Sequence, residues 1–230
     1  MKTRIKTLLT LLFVFLNISC SGESNSKDSD ILNLLMFKQS VESTSATSLN
    51  NRGFRYLFVT TDAHNGNLGG VSGADNFCET QKPAGLGTTG RFKALLVTGI
   101  GNPDSTRIAS MNVDANFNGL GDGQTNWVLK ADTEYRRTDG TTVVFRTNSR
   151  RLFDFLPANL LQNSFATTAG TGIWTALEGN WRSIGSCAFW TSADAGDGGE
   201  IGLPNERDIQ SIHGGTITCN TTARVLCIEQ

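Results

Sequence analysis

The chain has 230 residues, 38% of them hydrophobic and 18% charged, with 25 glycines against 4 prolines. That is enough apolar content for one medium domain with a true core and many turns, and it excludes a fibrous or wholly disordered chain. A net charge of -1 excludes the electrostatic footprint of a nucleic-acid binder.

At the N-terminus, Lys2, Arg4 and Lys6 precede the apolar run LLTLLFVFLNI, which ends at Ile18 and is followed by Ser19. A basic start, a short apolar stretch and a small residue make a secretory signal over residues 1–19, and the run is too short to stay in a bilayer as a span. The cysteine that follows resembles a bacterial lipobox. It predicts that Cys20 becomes the acylated N-terminus, although Leu16 stands four residues before it and Asn17 occupies the position where the strict pattern has Leu. Spirochaete lipoboxes are looser in this way. Removing residues 1–19 takes away three basic residues and no acid, leaving 17 basic against 21 acidic residues. Such a chain meets a membrane through its lipid rather than its charge.

Residues 20–52 are rich in Ser, Asn, Thr and Asp and read as a solvated tether, apart from the apolar ILNLLMFKQS at 31–40. Residues 53–230 are the expected folded domain. FRYLFVTT from Phe54 reads as a strand. VSGADNFCETQKP reads as a short helix, with Ser72 and Asp75 matching a capping box and Pro83 beyond its end. Ala74, Phe77, Cys78 and Gln81 share one helical face, so Cys78 is expected to point inward. FKALLV, NWVLK, TVVFRT after the turn Asp139-Gly140, GIWTAL, CAFWTS and ARVLCIE read as strands between glycine-rich loops. One early helix and many short strands predict an α+β domain with long loops.

Two acidic stretches invite a metal. DANFNGLGDG, Asp114 to Gly123, begins like an EF-hand, with Asp114, Asn116 and Asn118 as ligands, Gly119 at the turn and Asp122 ninth. The twelfth position, which needs a bidentate Glu, is Thr125, so the stretch reads as a loop whose side chains bond their own backbone. ADAGDGGE, around Asp194, is the second. Neither is expected to hold a metal, and no cofactor is implied. Catalysis has no support: there is no GxSxG or HExxH, and Asp62 beside His64 is an adjacency common in loops. Asp75 reads as a cap, and Trp127, Trp174, Trp181 and Trp190 read as core. With Cys20 set aside, Cys78, Cys187, Cys219 and Cys227 read as two disulfides with three pairings open.

GNLGGVSGADNFC, GRFKALL and the terminal CNTTARVLCIEQ are similar to the matching parts of endostatin, and GIWTALEGNW and SCAFWTS stand where endostatin has its VWHG and CETW segments. The likeness covers roughly residues 56–230 and is loose over 104–168. With the lipobox, the chain most resembles the leptospiral endostatin-like outer-membrane lipoproteins. That resemblance implies an endostatin-like variant of the C-type lectin-like fold and pairs Cys78 with Cys227 and Cys187 with Cys219. The first bridge would close a loop worth about 4 to 5 kcal/mol, the shorter second about 3. Leu203-Pro204-Asn205 echoes a calcium-lectin triplet without its acid, and His64 and His213 do not reproduce endostatin's zinc cluster.

For function, the resemblance implies a lipid-anchored outer-membrane protein at the cell surface. Its partners would be host extracellular-matrix proteins such as laminin or fibronectin, or complement regulators. Rival readings are a glycan-binding or enzymatic periplasmic domain and a structural envelope lipoprotein with no host ligand. Within the acidic mature chain, Arg136, Arg137, Arg146, Arg150 and Arg151 form a local concentration of guanidinium groups suited to carboxylates and sulfates. They are the ligand-binding candidates. The plain alternative is a hairpin edge protected by charge.

Overall fold

A computed structural model describes residues 52–99, 106–111, 121–155 and 160–230. All belong to the compact unit Leu49–Gln230. Cys20, the segment 31–40 and the loop ligands Asp114, Asn116, Asn118 and Gly119 lie outside the described residues.

The architecture is α+β, with few helices, short strands and two disulfides. β1 (Phe54–Val59) is central, its aromatic and β-branched residues filling both faces of a five-stranded sheet. The strand order is β2 (Phe92–Ala94), β8 (Leu226–Glu229), β1, β3 (Glu134–Arg137), β4 (Val143–Arg146). β1 runs antiparallel to β8 and parallel to β3, and the parallel pair needs the long crossover that carries the helix α1 (Gly70–Thr80). β4 pairs Phe145 with Tyr135 and Val143 with Arg136, so Val144 bulges between them and is buried with Phe145.

α1 lies over β2 and β8 and buries Ala74 and Cys78, as its apolar face predicts. The capping box is not there. Gly69 is the N-cap, in the left-handed region at φ 78, and no side chain caps the helix. Ser72 is already inside the first turn, and Asp75 has a different partner. Its carboxylate accepts from Arg107 Nη1 and Nη2 at 2.9 and 2.8 Å and from the Ala94 N–H at 2.9 Å. Arg107 is 0% exposed. The pair therefore ties the helix to β2, a role that no local pattern around either residue indicates.

The second sheet is antiparallel: β5 (Ile173–Trp174), β6 (Gly198–Gly202), β7 (Gly215–Thr218). FKALLV is a strand only as far as Ala94; Leu95 still donates to Leu226 O, and Val97 donates to Thr175 O, carrying the chain from the first sheet towards the second. NWVLK forms no strand. Its polar backbone groups go to side chains instead: Lys130 N–H to the Tyr135 hydroxyl, Lys130 O from Thr147 Oγ1 and Val128 O from Gln230 Nε2.

CAFWTS is not a strand either. Cys187, Ala188, Phe189 and Trp190 have φ of 48, 51, 60 and 66, one turn of left-handed helix, α2 (Cys187–Trp190). Its bonds run from Trp190 N to Ser186 O at 2.7 Å and from Thr191 N to Cys187 O at 3.1 Å. Such a turn costs L-residues about 1–2 kcal/mol each. Both ends are pinned: Cys187 by the bridge to Cys219, and the fully buried Trp190 by its Nε1 donating to Val97 O at 2.8 Å. Gly199 makes room for it, since a Cβ there would come within 2.6 Å of the Cys187 sulfur and 2.7 Å of the Trp174 ring.

Candidate ligand-binding surface

The structure distributes the five candidate arginines over three places. Arg136 is occupied: Nε donates to Glu134 at 2.7 Å, Nη1 to Gly140 O at 2.9 Å, and its guanidinium lies 4.3 Å above the Phe54 ring. Arg146 stands across from Glu134 in the β3–β4 register and is exposed. Arg137 leaves by the other face and donates from Nε and Nη2 to Ser164 O at 3.0 and 2.5 Å. Arg150 and Arg151 are exposed in the turn after β4. The β3–β4 hairpin is itself well fixed. Asp139 accepts from the hydroxyls and N–H groups of Thr142 and Thr141, and these bonds, led by the Thr142 hydroxyl, hold its carboxyl down at about 2.

Arg151 meets cations from elsewhere in the chain. In the strand register Lys93 faces Ile228, Ile228 faces Leu57, and Arg55 stands two residues before Leu57 on the same side and opposite Tyr135. The Tyr135 hydroxyl accepts from Lys130 N–H, which brings Lys130 to this end of the sheet. The Trp127 ring donates to Arg151 O at 2.9 Å and draws in the turn, while Lys93 Nζ reaches Asn126 Oδ1 at 3.2 Å. The result is a basic patch of Arg55, Lys93, Lys130 and Arg151. Burial first, then the positive charges of Arg55, Lys93 and Arg151, pull the Lys130 ammonium below its ordinary value. Among the described residues, none of these four cations forms an ion pair with a carboxylate.

Beside the patch, Arg55 also lines a groove of about 460 Å³ that includes Gly90, Asp132, Glu229 and Gln230. The Glu229 carboxylate is already engaged there by Arg52, Thr88 and the Tyr56 N–H. Sequence reasoning found Arg151 but not Arg55, Lys93 or Lys130. A signal was present: FRYLFV and FKALLV each carry a single cation in an otherwise apolar strand, but their shared sheet end depends on register.

The other candidates have local partners. Asp62 accepts from Gln81 Nε2, while His64 Nδ1 contacts Asn65 O and its ring packs edge-on against Phe77, so they are not a dyad. Asp194 accepts from Gly196 N–H in its own turn. Glu200 is buried, accepts from Gly215 N–H and Thr216 Oγ1, and lies 2.8 Å from His213 Nδ1. Thr125 bridges to Ile108. Among the described residues, no three His, Cys, Asp or Glu side chains are grouped to hold a metal ion. The four tryptophans are all buried.

A family model described as "Protein of unknown function (DUF1554)" matches residues 61–207. The chain belongs to the DUF1554 family. The match runs from just after β1 to just before the 3-10 turn Ile209–Ser211, and so includes Lys93, Lys130 and all five candidate arginines, whereas Arg55 and the cysteines Cys219 and Cys227 lie beyond it. No curated protein matches this DUF1554 chain.

Proposed function

We propose that this DUF1554 chain is a surface-exposed, lipid-anchored outer-membrane protein that binds an acidic host protein, of the extracellular matrix or among the complement regulators. Its domain, on this reading, is an endostatin-like variant of the C-type lectin-like fold. The observation that carries the binding reading is the basic patch: four cations from β1, β2 and two loops gathered at one sheet end, in a chain that is acidic once residues 1–19 are removed. Complementary charge of this kind speeds encounter and selects partners. The endostatin-like reading is supported by the cysteine pairing, Cys78 with Cys227 and Cys187 with Cys219, which is the pairing the resemblance implies. The lipid anchor rests on the sequence around Cys20.

The test is a solid-phase panel of laminin, fibronectin, complement regulators and sulfated glycans, with Cys20→Ala chains and protease-treated intact cells beside it. Saturable binding to an acidic host protein is expected, together with loss of the chain from cells on proteolysis and its release from the detergent phase in Cys20→Ala. Binding to none of the panel, with the chain shielded from protease, would instead favour a structural role in the envelope.

A further inference from the structure

The described domain begins at Arg52, and the structure fixes that entry beside the basic patch. Arg52 Nη1 donates to Gly87 O at 3.3 Å, Nη2 meets the Glu229 carboxylate, and the guanidinium lies 4.5 Å from the centre of the Tyr56 ring. Arg52 and Arg55 line the same groove. Of the two acids in that groove, Glu229 is 2% exposed and neutralised by Arg52, and Asp132 is exposed. The patch also extends by one residue. Arg91 stands two residues before Lys93, on the same side by strand alternation. It is exposed, and its carbonyl accepts from Gln230 N–H at 2.8 Å. Among the described residues Arg91, like Arg55, Lys93, Lys130 and Arg151, forms no ion pair with a carboxylate. Five cations thus stand at the sheet end where the chain arrives from its N-terminal segment.

Residues 20–51 read as a solvated tether, and a random coil of that length spans about 30 Å. A lipid on Cys20 would hold this sheet end within about that distance of the membrane, at an effective concentration of roughly millimolar. Weak contacts are populated under those conditions, and each Lys or Arg near an anionic surface strengthens attachment about fivefold. The mature chain is acidic as a whole, but a charge is felt over a screening length of about 8 Å in physiological salt. The local patch, not the net charge, therefore decides which face turns to the lipid. We propose that the basic sheet end docks on the anionic phosphate headgroups of the membrane that holds the chain. The inference rests on the lipid-anchor reading and adds a regulation to the host-binding one. Membrane and acidic host partner meet the same cations, so the partner binds by displacing the domain from the lipid. Docking is by charge without insertion: Phe54, the half-exposed aromatic of the groove, is already covered by Arg52 and Arg136.

The experiment is sedimentation of the full mature chain carrying Cys20→Ala with vesicles of phosphatidylglycerol or of phosphatidylcholine, at about 50 mM salt. Without acylation the vesicles report the patch alone, while the detergent-phase assay reports the anchor, so each reading can fail without the other. Binding is expected to be about tenfold or more tighter on phosphatidylglycerol, and to be lost at about 300 mM salt. Lys130→Glu should weaken it about tenfold or more. Arg224→Glu makes the same change in net charge at the other end of β1, where Val225 O accepts from Thr60 N–H, and should weaken it less than about threefold. Both variants should melt as the unsubstituted chain does. Equal binding to the two lipids, or equal weakening by the two variants, overturns the docking. A host protein that binds the chain in the panel should release it from phosphatidylglycerol vesicles; a complex of vesicle, chain and host protein overturns the competition.

Discussion

Around Cys227 the chain is regular. β8 is paired on both sides, by β1 and β2, and its cysteine meets a helix whose face repeats as helices do. Around Cys187 nothing repeats: four successive L-residues take left-handed angles, a glycine leaves space for the sulfur, and a buried tryptophan pins the end. The same bond thus does two jobs. In the first region it joins elements that packing already favours; in the second it helps hold a backbone that local preference opposes.

The largest expected effect separates these jobs directly. A Cys78→Ala/Cys227→Ala chain should lose about 4 to 5 kcal/mol in denaturant unfolding, because the bridge closes a loop with a separation of 149 residues. Cys187→Ala/Cys219→Ala should lose less than about 3 kcal/mol, since opening it also releases the strained turn. A loss of about 3 kcal/mol or more from the second bridge would mean that the left-handed turn is not strained.

The regular region also contains the Asp75–Arg107 pair. Arg107→Met leaves the half-buried Asp75 carboxylate without its counter-charge and should cost about 3 to 5 kcal/mol, part of it recovered by adding Asp75→Asn. No recovery in the double variant would mean that Arg107 acts through its aliphatic stem and its bond to Ala94 O.

A pH titration reaches the same sheet from its other face. Burial, the leading cause, pushes the Tyr135 phenol up to about 12 against an ordinary 10.0, although Lys130 N–H and Arg55 oppose it. A raised folded value means that the stability is fully present below pH 10 and lost as pH rises through 12, because the unfolded phenol releases its proton first. Phenolate absorbance from Tyr135 should therefore follow unfolding, and Tyr135→Phe should flatten stability between pH 10 and 12. Phenolate formation by Tyr135 in the folded chain near pH 10 would contradict this burial.

The smallest effects have opposite signs in the two regions. Ala188→Gly, at an exposed position with φ 51, should raise stability by up to about 1 kcal/mol, since glycine adopts that angle freely. Asn76→Gly on the exposed side of α1 should lower it by a few tenths, roughly the difference in helix propensity. Loss at both positions would remove the contrast.

The same contrast explains what the sequence made legible. Strand β1, the helix and its inward Cys78, the β3–β4 hairpin and β8 follow from periodicity and turn residues, which act over a few neighbours. CAFW reads as a strand because it carries aromatic and apolar residues, whereas its left-handed turn depends on the space left by Gly199 and the anchor at Val97 O, both remote in sequence. Asp75 reads as a cap because Ser72 stands at the right spacing, while its partner Arg107 lies 32 residues away. Of the candidate site, Arg151 is legible from local charge density. Arg55, Lys93 and Lys130 are not, since they gather only once β1, β2 and β8 are in register.

The central claim is that the basic end of the first sheet recognises an acidic host partner. It is tested most directly by the equilibrium binding of the full chain to immobilised laminin at about 50 and 300 mM salt, beside Lys93→Gln/Lys130→Gln/Arg151→Gln. At the higher salt the screening length falls below about 8 Å. Wild-type affinity is expected to fall several-fold across that range, and the triple variant to bind weakly at both concentrations while its melting temperature stays within the range of surface substitutions, about 0.5 kcal/mol each. Wild-type binding that ignores salt, with a triple variant that binds as tightly, would contradict the claim.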